Sequence, residues 1–203
     1  SDVCSADLKK RELLPFYLPW VAGVLANGKC AQDDIVMTVM LWRLDADDIA
    51  GALEIARYAM TWGLTMPTGR RPTPYLLAEE VALAAQRLLA AKQPVELANL
   101  LDTIALTERA DMPDIVRAKL HKITGYVLRD ASQLPEALAH LQRAIQLERT
   151  IGVKKDIEQL ERQLRPKPEP APKTKTTKPR TRKPAAKPAA RRGRPPKAAK
   201  AAG

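Results

Sequence analysis

An all-α fold is what this chain predicts: an irregular bundle of about eight helices, followed by a disordered basic tail. Three observations carry that prediction. Ala and Leu dominate while aromatics are scarce, with one Phe, three Trp and four Tyr in 203 residues, a composition that favours helices over sheets. Through residues 1–165 apolar positions recur every three or four, and no convincing strand pattern appears. Proline, glycine and acidic breaks punctuate those runs at intervals that suit helices joined by short turns.

The elements follow in order. Leu13 to Ala26 is apolar with a helical period, but Pro15 and Pro19 interrupt it, since proline lacks an amide donor and crowds the preceding turn. The natural parse is a short kinked entry, then a helix from about Pro19 to Ala26 that stops at Asn27-Gly28. Ile35, Val36, Val39, Met40 and Leu44 form the next stripe, with Gln32-Asp33-Asp34 as an acidic first turn favoured by the helix dipole. After Asp45 to Asp48, the stripe Ile49, Ala52, Leu53, Ala56, Ala59 and Met60 predicts a helix over 49–62 that Gly63 closes. Met66 to Tyr75, carrying Pro67, Pro72 and Pro74, reads as the one clear loop of this region. Beyond it the period predicts helices over about 76–92, 95–108, 113–130, 134–150 and 153–164. Pro94, Pro113 and Pro135 fall near their starts, where a missing N–H is not needed.

One helix pair resembles a tetratricopeptide hairpin. Gly125 stands where two helices approach closely, Ala137 and Ala144 supply the further small positions, and Leu128 and Leu141 fill between them. Ala52 and Ala59 echo the pattern weakly, but Met40 stands where the glycine belongs, so no solenoid is expected. In the last helix Val153, Ile157, Leu160 and Leu164 make an apolar seam, which suits either a neighbouring subunit or the preceding hairpin.

Several function classes find no support. Cys4 and Cys30 form no CxxC pair, so a reduced chain without a disulfide framework is expected. No apolar run reaches membrane-spanning length, and the first residues, Ser1-Asp2-Val3-Cys4, lack a signal pattern. The absent initiator Met fits a processed chain or a fragment. No GxxxxGK[ST] loop is present for nucleotide hydrolysis, and Ser132 has no nucleophile-elbow context. His121 and His140 belong to different helices with no further ligand at metal spacing, so no metal site is expected there. The acidic groups Asp33-Asp34, Asp45/Asp47/Asp48 and Glu79-Glu80 read first as helix-terminal charge. A metal-dependent nuclease would need several of them to converge on one divalent ion. Arg70-Arg71 in the loop suit phosphate contact, though exposed arginines are more often merely solvated.

Charge divides the chain into two parts, a body over 1–165 and a tail over 166–203. The tail holds eight Lys and five Arg against Glu169 alone, a net +12, and the chain total of +11 leaves the body at −1. It has no Val, Ile, Leu, Met or aromatic residue, so it cannot bury enough apolar surface to offset the entropy of ordering. Such a strap binds polyanions by counterion release, which points to nucleic acid. Arg191-Arg192-Gly193-Arg194-Pro195-Pro196-Lys197 resembles an AT-hook: Gly193 allows close backbone approach, and Pro195 keeps the chain extended after Arg194. The DNA-binding set is Arg180, Arg182, Lys183, Lys187, Arg191, Arg192, Gly193, Arg194, Pro195 and Lys197, with Arg192 and Arg194 entering the narrow A·T minor groove. Sequence-blind phosphate binding, or an arm for another acidic partner, remains the alternative use of this composition.

A family resemblance covers most of the chain. It is carried by KKRELLPFYLPWVAGVL (9–25), AQDDIVMTVMLWRLDADDIAGALEIARYAMTWGLTMP (31–67), ADMPDIVRAKLHKITG (110–125) and GVKKDIEQLERQLRPKPEP (152–170). These stretches, with a tail closing on Arg-Gly-Arg-Pro, resemble the small terminase subunit of peduovirus-type temperate tailed phages. Family members carry further residues before the counterpart of Lys9, so an N-terminal segment is expected to be missing here. The resemblance implies recognition of the packaging site on double-stranded phage DNA, recruitment of the large ATPase subunit, and a homo-oligomeric ring. It places the protein in the cytoplasm of the infected bacterium and transiently at the prohead portal. The family is traditionally labelled the endonuclease subunit of terminase; cleavage is expected to depend on the large subunit, and no cofactor is expected. Mg²⁺ enters only under the alternative that this chain itself cuts, with Asp33, Asp34, Asp45, Asp47 and Asp48 brought together.

Overall fold

The computed structural model describes residues 2–28, 31–67, 69 and 71–165, with the backbone alone for residues 2–7. Among these residues are eight α-helices and no strand: α1 (Asp2–Asn27), α2 (Asp34–Asp45), α3 (Ile49–Trp62), α4 (Thr73–Ala90), α5 (Leu97–Thr107), α6 (Asp114–Asp130), α7 (Leu134–Leu147) and α8 (Lys154–Leu164). The all-α class and the helix order match the periodicity.

The first helix corrects the reading above. Instead of a kinked entry before Pro19, α1 is one helix of 26 residues with Pro15 and Pro19 inside it. The two prolines lie four apart on the exposed side, so the carbonyls of Arg11 and Pro15, which lose their amide partners, face water. The opposite face carries Lys10, Leu14, Tyr17, Val21 and Val24 at spacings of four and three, all at least partly covered by the body. The inward stripe holds the helix where propensity alone would break it.

Other boundaries move for local reasons. Asp33 is not within the first turn of α2 but caps it, its carboxylate accepting from Val36 N–H at 2.9 Å. Asp48 caps α3 in the same way through Gly51 N–H at 2.9 Å. The loop after Met66 is shorter than expected: α4 starts at Thr73 because Pro74 suits a first turn and the Thr73 hydroxyl, buried, donates to Leu64 O at 2.7 Å. Pro94 lies ahead of α5 rather than at its start, with Glu96 as the N-cap residue. α7 stops at Leu147, not 150, because Glu148 turns extended and its carboxylate accepts from the Thr150 N–H at 2.8 Å.

Four helices end in one kind of turn. After α2, α4 and α6, the residues Asp47, Lys92 and Ser132 take left-handed φ values of 65°, 56° and 62°, and after α3 Gly63 does so at 67°. In each case the next amide reaches back five residues: Asp48 to Arg43 O, Leu64 to Ala59 O, Gln93 to Leu88 O and Gln133 to Leu128 O, at 2.8 to 2.9 Å. These bonds satisfy carbonyls that the helix end would otherwise leave open.

Packing forms two apolar clusters that share α6. Met37, Met40, Leu44, Leu53, Ile55, Leu77 and Leu100 are fully buried in the larger one, and Val116, Leu120, Ile123 and Val127 of α6, nearly as covered, join them. Each such side chain contributes about 1.5–3 kcal/mol relative to exposure. The smaller cluster joins Ala118 and Leu128 to Ala137, Leu141 and Ala144 of α7 and to Val153 and Leu160. Gly125 is where the hairpin closes, since a Cβ there would lie 2.6 Å from Leu141 Cδ2. The seam of α8 caps this hairpin through Val153 and Leu160, while Leu164 stays exposed.

Candidate functional site

The DNA-binding set read from the sequence, Arg180, Arg182, Lys183, Lys187, Arg191, Arg192, Gly193, Arg194, Pro195 and Lys197, lies outside the described residues, as does Arg70. The structure therefore bears on what the body adds to that tail.

The carboxylates singled out as possible metal ligands are held apart in local bonds. Asp33, besides capping α2, accepts from the Trp20 indole at 3.0 Å, and Asp34 accepts from Gln32 Nε2 at 2.9 Å. Asp45 pairs with Lys10 at 2.7 Å, Asp47 with Arg11 at 3.2 Å and Arg87 at 3.0 Å, and Asp48 with Arg43 at 3.1 Å. Among the described residues no group of three or more His, Cys, Asp or Glu is placed to hold a metal ion. A divalent-cation cage needs several oxygens turned to one point, and these serve caps and ion pairs instead, so they do not fit Mg²⁺. Their visible role is structural: Asp45 and Asp47 tie α1 and α4 to the α2–α3 turn. In the loop, Arg71 pairs with Glu79 and stacks 5.5 Å from the Tyr75 ring centroid, so it is not a free phosphate contact. Glu80 is pushed above the usual carboxylate range by burial, then by Asp45 and Glu79, against the pull of Arg87 and Arg71.

On α1, Leu13, Phe16 and Trp20 share an outer face, and Phe16 is 79% exposed and Trp20 53%. A large aromatic so open is the kind of side chain a partner surface covers.

Between α4 and α6 runs a furrow that sequence reading missed. Leu83, Leu89 and Ile123 line its apolar part, a hollow of about 580 Å³, and Lys119, Lys122, Tyr126 and Arg129 border it from α6. The last four follow one another at three, four and three residues, a helical stripe visible in the sequence once α6 is known to expose that side. Lys122 Nζ donates to Ile151 O at 2.8 Å, and Arg129 lies 4.9 Å from the Tyr126 ring centroid while pairing with Asp156 at 3.3 Å. The Tyr126 hydroxyl donates to Asp156 at 3.2 Å. Burial, then that carboxylate, push this phenol up to about 12. A second hollow continues past Leu89 and Asp130 to Lys92, Val95 and Val127.

Also missed was the pairing of the only two histidines. His121 Nδ1 and His140 Nδ1 lie 3.0 Å apart across the α6–α7 hairpin, so one neutral ring donates to the other. Burial, then His140, Arg143 and Arg117, pull His121 down to about 4, and burial lowers His140 as well. Their sequence spacing gives no hint of this; the close approach at Gly125 and the antiparallel run of the two helices bring them together.

No described helix is long and apolar enough to cross a membrane. A sequence profile for the phage small terminase subunit matches residues 4–115. The chain is 64% identical over 192 residues to the "Terminase, endonuclease subunit" of Escherichia phage P2, a match covering 94% of this chain and 77% of that protein. It is 28% identical over 168 residues to the "Probable terminase, endonuclease subunit" of Haemophilus phage HP1 (strain HP1c1), covering 75% of this chain and 59% of that relative. No solved structure matches.

Proposed function

Since the chain belongs to the phage small terminase subunit family, whose role is DNA packaging, we propose that its work is divided between a DNA-gripping tail and an assembling, motor-docking body. The segregation of charge supports this most directly, with +12 on residues 166–203 and −1 on residues 1–165. Arg192 and Arg194 enter the minor groove of A·T-rich duplex on either side of Gly193. Arg180, Arg182, Lys183, Lys187, Arg191 and Lys197 track the phosphates, with Pro195 holding the chain extended. The body associates with further copies through the outer face of α1, where Phe16 and Trp20 stand open, and forms the ring. It also receives the large ATPase subunit, acting in the infected cell at the prohead portal. Cutting rests with that subunit, because Asp33, Asp45, Asp47 and Asp48, the carboxylates read as possible metal ligands, are engaged in caps and ion pairs.

Duplex binding measured against salt tests the division, comparing the full chain, residues 1–165 and Arg192→Ala/Arg194→Ala on packaging-site, A·T-rich and G·C-rich DNA. The slope of log K against log salt is about −0.9 per phosphate neutralised, so loss of the tail should flatten it strongly. The double variant should lose A·T preference while keeping most of the slope. Retention of site specificity by residues 1–165 would move recognition into the helical body. Site cutting by the purified chain with Mg²⁺ and no large subunit would overturn the assignment of cleavage.

A further inference from the structure

We propose that the furrow between α4 and α6 is the seat of the large subunit, and that what it receives is an acidic, amphipathic helical segment. This rests on the docking role given to the body above and names its site and chemistry. The furrow's shape decides against a compact anion. Its cations do not converge but stand in a row, Lys119, Lys122 and Arg129, along ten residues of α6 or about 15 Å of helix. Two hollows of about 580 Å³ each adjoin there, sharing Leu89 and Asp130, and Lys92 borders the second. A rod-like occupant some three helical turns long matches the run of about 15 Å along α6.

Chemistry decides between a polypeptide and DNA. The furrow is lined by Leu83, Leu89 and Ile123, against which a phosphate backbone would lose water without gaining hydrogen bonds. An amphipathic helix meets both parts at once, apolar side chains against the leucines and carboxylates against the basic border. Lys119 and Lys122 are available for that use. Lys119 is exposed and makes no ion pair among the described residues. Lys122 gives one N–H to Ile151 O and keeps two. Arg129 already pairs with Asp130 and Asp156 and stacks on Tyr126, so it shapes the end of the border and leaves the free charge to the two lysines.

The test is association of the full chain with the large subunit of the same phage, measured by sedimentation velocity for wild type, Lys119→Glu and Leu83→Glu. Both positions are exposed on the folded body, Leu83 at 37%, so neither change should disturb the fold, and duplex binding serves as the second readout. Each variant should weaken association tenfold or more, with tail-dependent DNA binding unchanged. Wild-type association in both variants would overturn the proposal. So would a loss confined to DNA binding, which would make the furrow a duplex surface. A loss with Lys119→Glu alone would overturn the amphipathic occupant. Failure of the wild-type chain itself to associate would instead refute the docking role on which the proposal rests.

Discussion

Acid should loosen the α6–α7 hairpin through its two histidines. His121 falls from 6.5 to about 4 on folding, because burial and the facing His140 ring disfavour its charged form. Between those values the unfolded chain binds more protons than the folded one, so stability is complete above 6.5 and drains as pH falls towards 4. For His121 alone, moving from pH 7 to pH 5 removes about 2 kcal/mol. The ring keeps some contact with solvent, so about 1 kcal/mol is the working figure, and His140 adds to it with the same sign. Each kcal/mol lowers Tm by about 2–4 °C for a domain of this size. Glu80 acts oppositely: raised by burial, it binds protons more readily when folded and offsets part of the fall. The informative quantity is therefore a difference. Urea unfolding of the full chain at pH 7 and pH 5, set against His121→Gln/His140→Gln, should show the larger fall in wild type. The chain has no other histidine, so nothing else of that type contributes. Equal falls in the two proteins, or imidazole protons titrating near 6.5 by NMR, would refute the buried neutral pair.

Two further outcomes follow from packing. Gly125→Ala would set a Cβ 2.6 Å from Leu141 Cδ2 and 3.3 Å from Ala137 O, and the fully buried Leu141 has nowhere to retreat. Overpacking of about 1–3 kcal/mol should exceed the roughly 1 kcal/mol that alanine gains in a helix, so urea unfolding should show a net loss of about 1 kcal/mol. A gain would mean that the hairpin is looser than drawn. Phe16→Ser should leave stability within about 0.5 kcal/mol and reduce oligomer mass in light scattering. Unchanged mass would exclude this face of α1 from the assembly contact.

What the sequence made legible was the periodic and the local. The stripe from Ile49 to Met60 with Gly63 behind it set α3 to the residue, because spacing and cap chemistry agree there. α1 was misread because two prolines carry a strong local signal, which the packing of Leu14, Tyr17 and Val21 and the ion pairs of Lys10 and Arg11 with the rest of the body outweigh. The histidine pair depends on which helices become neighbours, which no spacing encodes. The furrow was half legible: the row from Lys119 to Arg129 is in the sequence, but its apolar wall comes from α4, some forty residues earlier. The tail's charge and its lack of apolar residues are legible from composition alone.

The left-handed turns also tell an engineer where this body can be made sturdier and where it cannot. A non-glycine residue in that conformation costs about 1 kcal/mol, and Asp47, Lys92 and Ser132 each bear it, whereas Gly63 does not. At Asp47 the side chain is what holds Arg11 of α1 and Arg87 of α4 together, so relaxing the turn would unfasten two helices. Lys92 borders the second hollow, and its removal would alter the furrow. Ser132 is exposed and its hydroxyl has no partner among the described residues. Of three turns built alike, one is open to replacement without touching anything else, and the other two trade backbone ease for a side chain in use.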